Sequence, residues 1–205
     1  MRKAALTIVA VLAVASFAPA QDDTRFDLGL SYSGVFSKTS ASSVNSTILT
    51  PTTSGGVLGS FRYHFSPKNG IEVNIGHTNN SQIYTIPPDT FRVSAGITEF
   101  SAAYVLSPFH AKRLEPFVLG GGGILKFGAG SQYIDGFFSS FGARNQTSLA
   151  ALYGGGADFH LWRSLALRVQ YRGLFYKAPN FTQTRLFTGV YGHMAEPTAG
   201  LVIQF

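Results

Sequence analysis

The chain has 205 residues, of which 45% are hydrophobic and none is cysteine. Without cysteine, neither a disulfide framework nor the usual Cys-based zinc sites can form. The formal net charge is +6, but Lys and Arg are spread along the chain without a run, which argues against a nucleic-acid surface. The length fits one domain.

The N-terminal segment has the pattern of a secretory signal peptide. Residues 1–3 are MRK, residues 4–15 are apolar, and residues 17–20 read FAPA. The apolar run is shorter than the roughly 20 residues of a membrane-spanning helix. We therefore expect cleavage near Ala20 and a single mature domain over residues 21–205. Fourteen Lys and Arg against 10 Asp and Glu would then remain, a net charge of +4.

Beyond the signal segment the chain shows no helical period. Large apolar residues instead alternate with small or polar ones, which is typical of strands with two different faces. Eight such segments can be marked, at residues 26–33, 57–65, 71–76, 93–106, 117–127, 153–161, 165–172 and 198–205. The fourth is irregular in its first half, where we expect a bulge.

The predicted connections alternate between short and long. The short ones are Ser66–Gly70, Ser107–Glu115 and Trp162–Ser164, and the long ones are Ser37–Gly56, His77–Arg92, Gly128–Ser148 and Tyr176–Met194. Short turns at one rim and long loops at the other are typical of membrane barrels. The sequence thus predicts an all-β fold, an eight-stranded antiparallel transmembrane β-barrel with up-and-down meander topology.

The polar strand face carries most of the charge. It consists of Asp27, Arg62, His64, Glu72, Glu99, Lys126, Asp158, His160, Arg168 and Arg172. In a barrel these side chains would fill the lumen as a structural, charge-balanced network, whereas in a soluble sandwich they would face water. A soluble lipocalin-like carrier has the same strand count but would place the large residues inside.

The short turns suggest strand registers. A tight hairpin at Ser66–Gly70 would set Phe65 opposite Ile71 and His64 opposite Glu72. A second one at Trp162–Ser164 would set Leu161 opposite Leu165, Asp158 opposite Arg168 and Arg172 opposite Gly154. Opposite charges placed across from each other stabilise a strand pair.

Two glycine clusters, FVLGGGGILKF at 117–127 and LYGGGADFHLW at 152–162, could suggest a phosphate loop. A phosphate loop requires Lys followed by Ser or Thr at a helix start, but here Phe127 follows Lys126. An eight-stranded barrel gives the glycines another role, because its lumen is narrow and large inward side chains must face small inward residues. We expect inward positions for Gly120, Gly122, Gly154 and Gly156.

Several of these segments together resemble a known family. RLEPFVLGGGGILKF, LYGGGADFHLWRSLALRVQYR and PTAGLVIQF are similar to the last four strands of small OmpA-like outer-membrane β-barrel proteins. The resemblance implies location in the outer membrane of a Gram-negative cell. It also implies that Leu201, Ile203 and the terminal Phe205 form the signal read by the assembly machinery.

Catalytic, metal and cofactor sites are not indicated. The five histidines show no ligand spacing, and we expect no metal, cofactor or nucleic-acid partner. Asp158 and His160 share a strand face, so a lipid-modifying enzyme that uses His160 or His64 stays open as an alternative. A narrow pore is another, although eight strands usually leave no aqueous path.

The long loops hold the aromatic residues that suggest recognition of a surface ligand. These are Phe137, Phe138, Phe141, Phe181, Phe187 and Tyr191. Exposed aromatic side chains can mark a binding surface. We expect a non-enzymatic, monomeric barrel with a structural or adhesive role, in contact with outer-membrane lipid.

Overall fold

The computed structural model describes residues 25–42, 46–109, 111 and 113–205. The expected signal peptide and its cleavage site lie outside these residues. Eight long strands of 12–21 residues form the body of the protein. They are β1 (Phe26–Ser37), β4 (Ser54–Ser66), β5 (Asn69–Ile86), β6 (Asp89–Leu106), β7 (Leu114–Ile134), β9 (Gln146–Trp162), β10 (Leu165–Lys177) and β11 (Tyr191–Gln204).

Three short strands lie in the connections, namely β2 (Ser40–Ala41), β3 (Ile48–Pro51) and β8 (Phe137–Phe138). A 3-10 turn, Thr184–Leu186, lies between β10 and β11. In the part of the chain that the structure describes, no helix has the length and hydropathy to cross a bilayer.

The sheet closes on itself. β1 pairs antiparallel with β4 on one side and with β11 on the other, and the remaining long strands pair in chain order. The backbone N–H groups of Arg25 and Phe26 donate to a backbone oxygen of Phe205, at 3.1 and 2.9 Å. The predicted eight-stranded antiparallel up-and-down barrel is confirmed.

The two rims differ, as expected, but the long connections contain more strand than the sequence suggested. β5 and β6 run on to Ile86 and Asp89 and leave only residues 87–88 between them, so the predicted loop His77–Arg92 is wrong. β7 likewise continues to Ile134. These extensions do not show the alternation of apolar and polar residues, because strands that project beyond the bilayer do not need an apolar outer face. In the sequence they therefore resemble loops. The expected bulge in the fourth predicted strand is confirmed by a register shift between Val93 and Ala95.

The predicted hairpin registers are partly right. Asp158 lies opposite Arg168 and Gly154 opposite Arg172, as expected. Leu165 pairs with Trp162 rather than Leu161, because the register shifts beside it.

The β4–β5 register differs from the prediction. Glu72 lies opposite Arg62, and Ile71 lies opposite Tyr63, whereas His64 lies opposite Gly70. The turn spans only residues 67–68, and an irregularity between His64 and Ser66 shifts the pairing.

The outer face is apolar, as a barrel in lipid requires. On β1, for example, Leu28, Leu30 and Tyr32 point out, whereas Asp27 and Ser31 are buried inside. The same alternation holds along β4, β5, β9, β10 and β11 as predicted.

β7 is the exception, and its predicted faces are reversed. Phe117, Leu119, Leu125 and Phe127 are buried in the interior, whereas Lys126 is exposed on the outside. The prediction failed because it took large apolar residues to face lipid, although part of this lumen is itself apolar.

The inward glycines of β7 are therefore Gly121 and Gly123, not Gly120 and Gly122. A Cβ on Gly121 would collide with the carbonyl of Ala102, whereas a Cβ on Gly120 would meet nothing within 4 Å. The glycines of β9 have the expected parity, and Gly154 lies against the backbone of Arg172.

Candidate functional site

The lower lumen, toward the short turns and chain termini, holds a buried ion-pair network. Arg168 donates to both carboxylate oxygens of Asp158 at 2.7 Å, to Asp27 at 3.0 Å and to Glu72 at 3.1 Å. Arg62 donates to Glu72 at 2.8 and 3.0 Å and approaches Asp158 at 3.5 Å. These five side chains are at most 1% exposed. Two cations thus hold three carboxylates in place.

An aromatic ring packs against both arginines. The guanidinium carbon of Arg62 lies 4.2 Å from the centroid of the Phe117 ring, and that of Arg168 lies 5.3 Å away. Cations over a ring face are attracted to it, most strongly where water is excluded. The inward position of Phe117 therefore fits the lower lumen.

A second ion-pair cluster lies nearer the middle of the barrel. Arg172 donates to Glu196 at 2.9 Å and also binds both carboxylate oxygens of Glu99, while the side chain of Ser101 donates to Glu99 at 2.5 Å. Arg172 is fully buried. One cation here holds two carboxylates.

Two buried carboxylates were missed in the sequence, Glu196 and Glu115. Glu196 lay between the predicted connection Tyr176–Met194 and the predicted strand 198–205 and was assigned to neither, although extending the alternation of the last strand from Thr198 places it on the inner face. Glu115 was assigned to a turn, and its buried position follows from the reversed parity of β7. Lys126, predicted to lie in the lumen, lies outside it.

The two lumen histidines lie near carboxylates. The Nε2 of His64 is 3.0 Å from Asp27, and the Nε2 of His160 is 3.8 Å from Glu115. Asp158, which the enzyme alternative pairs with His160, bonds instead to Arg168.

The upper lumen, toward the long loops, is apolar. Its buried side chains include Val35, Leu49, Tyr84, Phe91, Val93, Ile97, Leu125, Phe127, Leu174, Tyr176, Phe181, Leu186 and Met194. A cavity of about 10 Å³ lies where this layer meets the charged one, beside Glu99 and Glu196. That volume is about one water molecule.

The β10–β11 connection forms the roof of this layer. Phe181 is fully buried and makes edge contacts with Tyr84 and Phe127, each at 6.4 Å between centroids. The Gln146 side chain accepts hydrogen bonds from the backbone of Asn180 (2.9 Å) and Phe181 (2.7 Å). These bonds hold Phe181 in a left-handed conformation, with φ of 50°.

Tyr84 anchors the same connection from β5. Its hydroxyl donates to the carbonyl of Pro179 at 2.6 Å, and burial raises the pKa of this phenol. Tyr84 therefore remains a neutral hydrogen-bond donor.

The predicted loop aromatics divide into two groups. Phe181 is buried, and Phe141 packs half-buried against Phe91 at 5.5 Å, so these two support the roof and are not available for recognition. Phe137 (78% exposed) and Phe138 (74%) project from the β7–β9 connection, Tyr191 (75%) is exposed on the outer face at the start of β11, and Phe187 is 39% exposed.

The residues of the expected assembly signal lie on the lipid-facing side. Leu201 and Phe205 are exposed, and Ile203 is partly so. Their role in assembly stays a prediction.

The architecture agrees with a known family model. The description "Outer membrane protein beta-barrel domain" matches residues 4–191. No curated protein matches the chain at a significant level.

Several solved structures share the fold. Neisserial surface protein A (NspA) is 14% identical with a TM-score of 0.57, covering 88% of this chain and 97% of that one. OprG from Pseudomonas aeruginosa is 13% identical with a TM-score of 0.54, covering 89% and 96%. Ail, the attachment invasion locus protein of Yersinia pestis, in complex with the heparin analogue sucrose octasulfate, is 15% identical with a TM-score of 0.52, covering 89% and 99%.

At these identities the structures establish a shared fold only, whereas the family model spans most of the chain. The family description names a β-barrel domain of the outer membrane, and this chain forms a closed barrel with a lipid-facing outer surface. The chain belongs to the family of outer-membrane proteins built on this β-barrel domain, and its place is the outer membrane of Gram-negative bacteria.

Proposed function

We propose that this protein is a non-enzymatic, non-conducting barrel that acts in attachment through its extracellular loops. The proposal rests on the filled lumen. Arg62, Arg168 and Arg172 occupy the charged layer, and Phe127 and Phe181 lie in the apolar layer above it. A solute path would have to break buried ion pairs and an apolar seal, which leaves the loop surface as the place of function.

The loop surface presents cations and aromatic rings together. Its exposed arginines are Arg92, Arg144 and Arg185, and its exposed rings include Phe137 and Phe138. Arginine binds anionic oxygen groups through paired donors, and exposed aromatic rings offer an apolar surface to a ligand. A sulfated glycan is therefore the ligand class that we propose. The complex of Ail with a heparin analogue shows that a protein of this fold can hold such a ligand.

Binding to immobilised heparin tests the proposal. The full chain in phosphatidylcholine nanodiscs should be retained, and sucrose octasulfate should release it. The triple variant Arg92→Gln, Arg144→Gln, Arg185→Gln should elute at markedly lower salt.

The matched control removes three exposed cations from the opposite rim, through Arg25→Gln, Lys68→Gln and Arg113→Gln. It should elute with the wild type. Retention that is equally weak for the wild type and the loop variant would overturn the proposal, as would equal losses in the loop variant and the control.

A further inference from the structure

Folding separates the charges of this chain strongly. Of the eight Asp and Glu in the described residues, six are buried in the lumen, and only Asp89 and Asp135 are exposed. Of the 13 described Lys and Arg, three are in the lumen and ten are exposed. The exterior of the described part therefore carries a net charge of +8, although all described residues together carry only +5.

Three of the exposed cations lie at the upper edge of the apolar band. On β1 the outward series ends at Phe36, and the next outward residue is Lys38. On β7 Lys126 follows Ile124, and on β10 Lys177 follows Phe175 in the same way. Each lysine is thus the first outward residue beyond its strand's last large apolar one. We call Lys38, Lys126 and Lys177 the upper lysine rim.

The upper lysine rim lies on one side of the barrel. Its strands belong to the continuous series β7, β9, β10, β11 and β1. Lys126 lies opposite Thr147 of β9, Lys177 lies opposite Tyr191 of β11, and the backbone N–H of Lys38 donates to the carbonyl of His193 at 3.0 Å. On the far side, the corresponding first polar residues on β5 and β6 are His77 and Thr98, which carry no fixed charge.

The position of these lysines defines what they can bind. A lysine just above lipid-facing residues lays its aliphatic stem along the apolar surface and holds its ammonium group at headgroup level. Anionic headgroups attract cations there, and an ammonium group binds phosphate as a compact charge with three donors. No exposed carboxylate in the described residues lies at this level, since Asp89 begins β6 and Asp135 follows β7, both farther from the bilayer.

We propose that the upper lysine rim is a binding site for the phosphate groups of a phosphorylated glycolipid in the outer leaflet. The ammonium groups of Lys126 and Lys177, on either side of β9, bind the phosphates, and Lys38 extends the site across β11. The apolar residues below each lysine contact the acyl chains. The site thus faces the surrounding lipid and is separate from the loop surface above it.

Lipid retention in native mass spectrometry tests this site. The full chain, folded in zwitterionic detergent, is titrated with diphosphorylated lipid A and with the same lipid after removal of both phosphates. The wild type should hold the phosphorylated form far more tightly. The triple variant Lys38→Gln, Lys126→Gln, Lys177→Gln should bind it on the order of 100-fold more weakly. Replacement of all three by Arg should preserve binding.

The control variant Arg25→Gln, Lys68→Gln, Arg113→Gln loses the same charge at the opposite rim and should bind as the wild type does. Heat-modifiable gel mobility establishes that every variant is folded. Lipid binding within twofold of wild type in the Lys→Gln variant would overturn the site. Equal affinity of the wild type for the dephosphorylated lipid, or an equal loss in the control variant, would overturn it as well.

Discussion

Arg168 and Asp158 occupy opposite positions of β10 and β9 and are joined by two hydrogen bonds of 2.7 Å. The pair is fully enclosed, and each partner has further contacts, Arg168 with Asp27 and Glu72, and Asp158 with Arg62. The two residues therefore form the centre of the lower network, and strand register alone brings them together.

Breaking this pair should destabilise the barrel strongly. Asp158→Ala leaves Arg168 with two other carboxylates, so we expect a loss of about 3 kcal/mol. Arg168→Ala leaves three carboxylates to Arg62 alone, so its loss should be nearer 5 kcal/mol. Urea unfolding in lipid vesicles measures both. The double variant should lose less than the two singles together, and strictly additive losses would mean that the two side chains are not coupled.

Arg172 and Glu196 should respond unequally to neutralisation. Glu196→Gln leaves Arg172 bound to Glu99, so the free energy of unfolding should fall by about 1 kcal/mol or less. Arg172→Gln leaves two buried carboxylates without a cation and should cost about 3–5 kcal/mol. The same urea titration compares them, and equal losses would contradict the arrangement of one cation between two acids.

Gly121→Ala and Gly120→Ala test the corrected faces of β7. A methyl group at Gly121 collides with the Ala102 carbonyl, whereas at Gly120 it enters open space. We expect the first change to cost about 1–3 kcal/mol and the second less than about 0.5 kcal/mol. Thermal unfolding, followed by gel mobility, separates them. A larger loss for Gly120→Ala than for Gly121→Ala would mean that Gly120 and Gly122 face the lumen after all.

Val169→Arg and Leu165→Arg test the lipid-facing surface by depth. Both side chains point outward on β10, Val169 near the middle of the apolar band and Leu165 at its lower edge. An arginine facing lipid costs about 2–4 kcal/mol at the midplane and about 0–1 kcal/mol near an interface. The yield of folded protein in the outer membrane should therefore fall much more for Val169→Arg. Equal yields would mean that β10 does not cross a bilayer at this depth.

Alternation and the contrast between short and long connections were sufficient to predict the barrel, and alternation predicted most of its inner face. In each of the strands concerned, the large apolar residues occupy alternate positions and face lipid, so the charged residues at the positions between them lie inside. They are Asp27, Arg62, Glu72, Asp158, Arg168 and Arg172. The Asp158–Arg168 register followed from a short turn that fixes both strands.

The β7 faces could not be predicted, because large apolar side chains of this strand face the lumen, where they pack against arginines below and an apolar roof above. Phe117 faces two arginines and Phe127 faces the roof, whereas the outward side is partly glycine. Charge did not decide between the faces either, because Glu115 shares the inward parity of Phe117 whereas Lys126 lies on the outward face. Likewise, nothing local in the sequence shows that Phe181 turns back into the barrel, because Gln146 and Tyr84 hold that segment from distant strands.

Conductance in planar bilayers tests the filled lumen most directly. Purified, folded protein inserted into a phosphatidylcholine bilayer should give no stable ionic current at moderate voltage, since two buried layers close the barrel. Phe181→Ala, which removes the ring in the roof but leaves Arg62, Arg168 and Arg172 in place, should remain silent as well. Reproducible single-channel steps from the wild-type protein would contradict the account, because they would require a continuous aqueous path past these arginines.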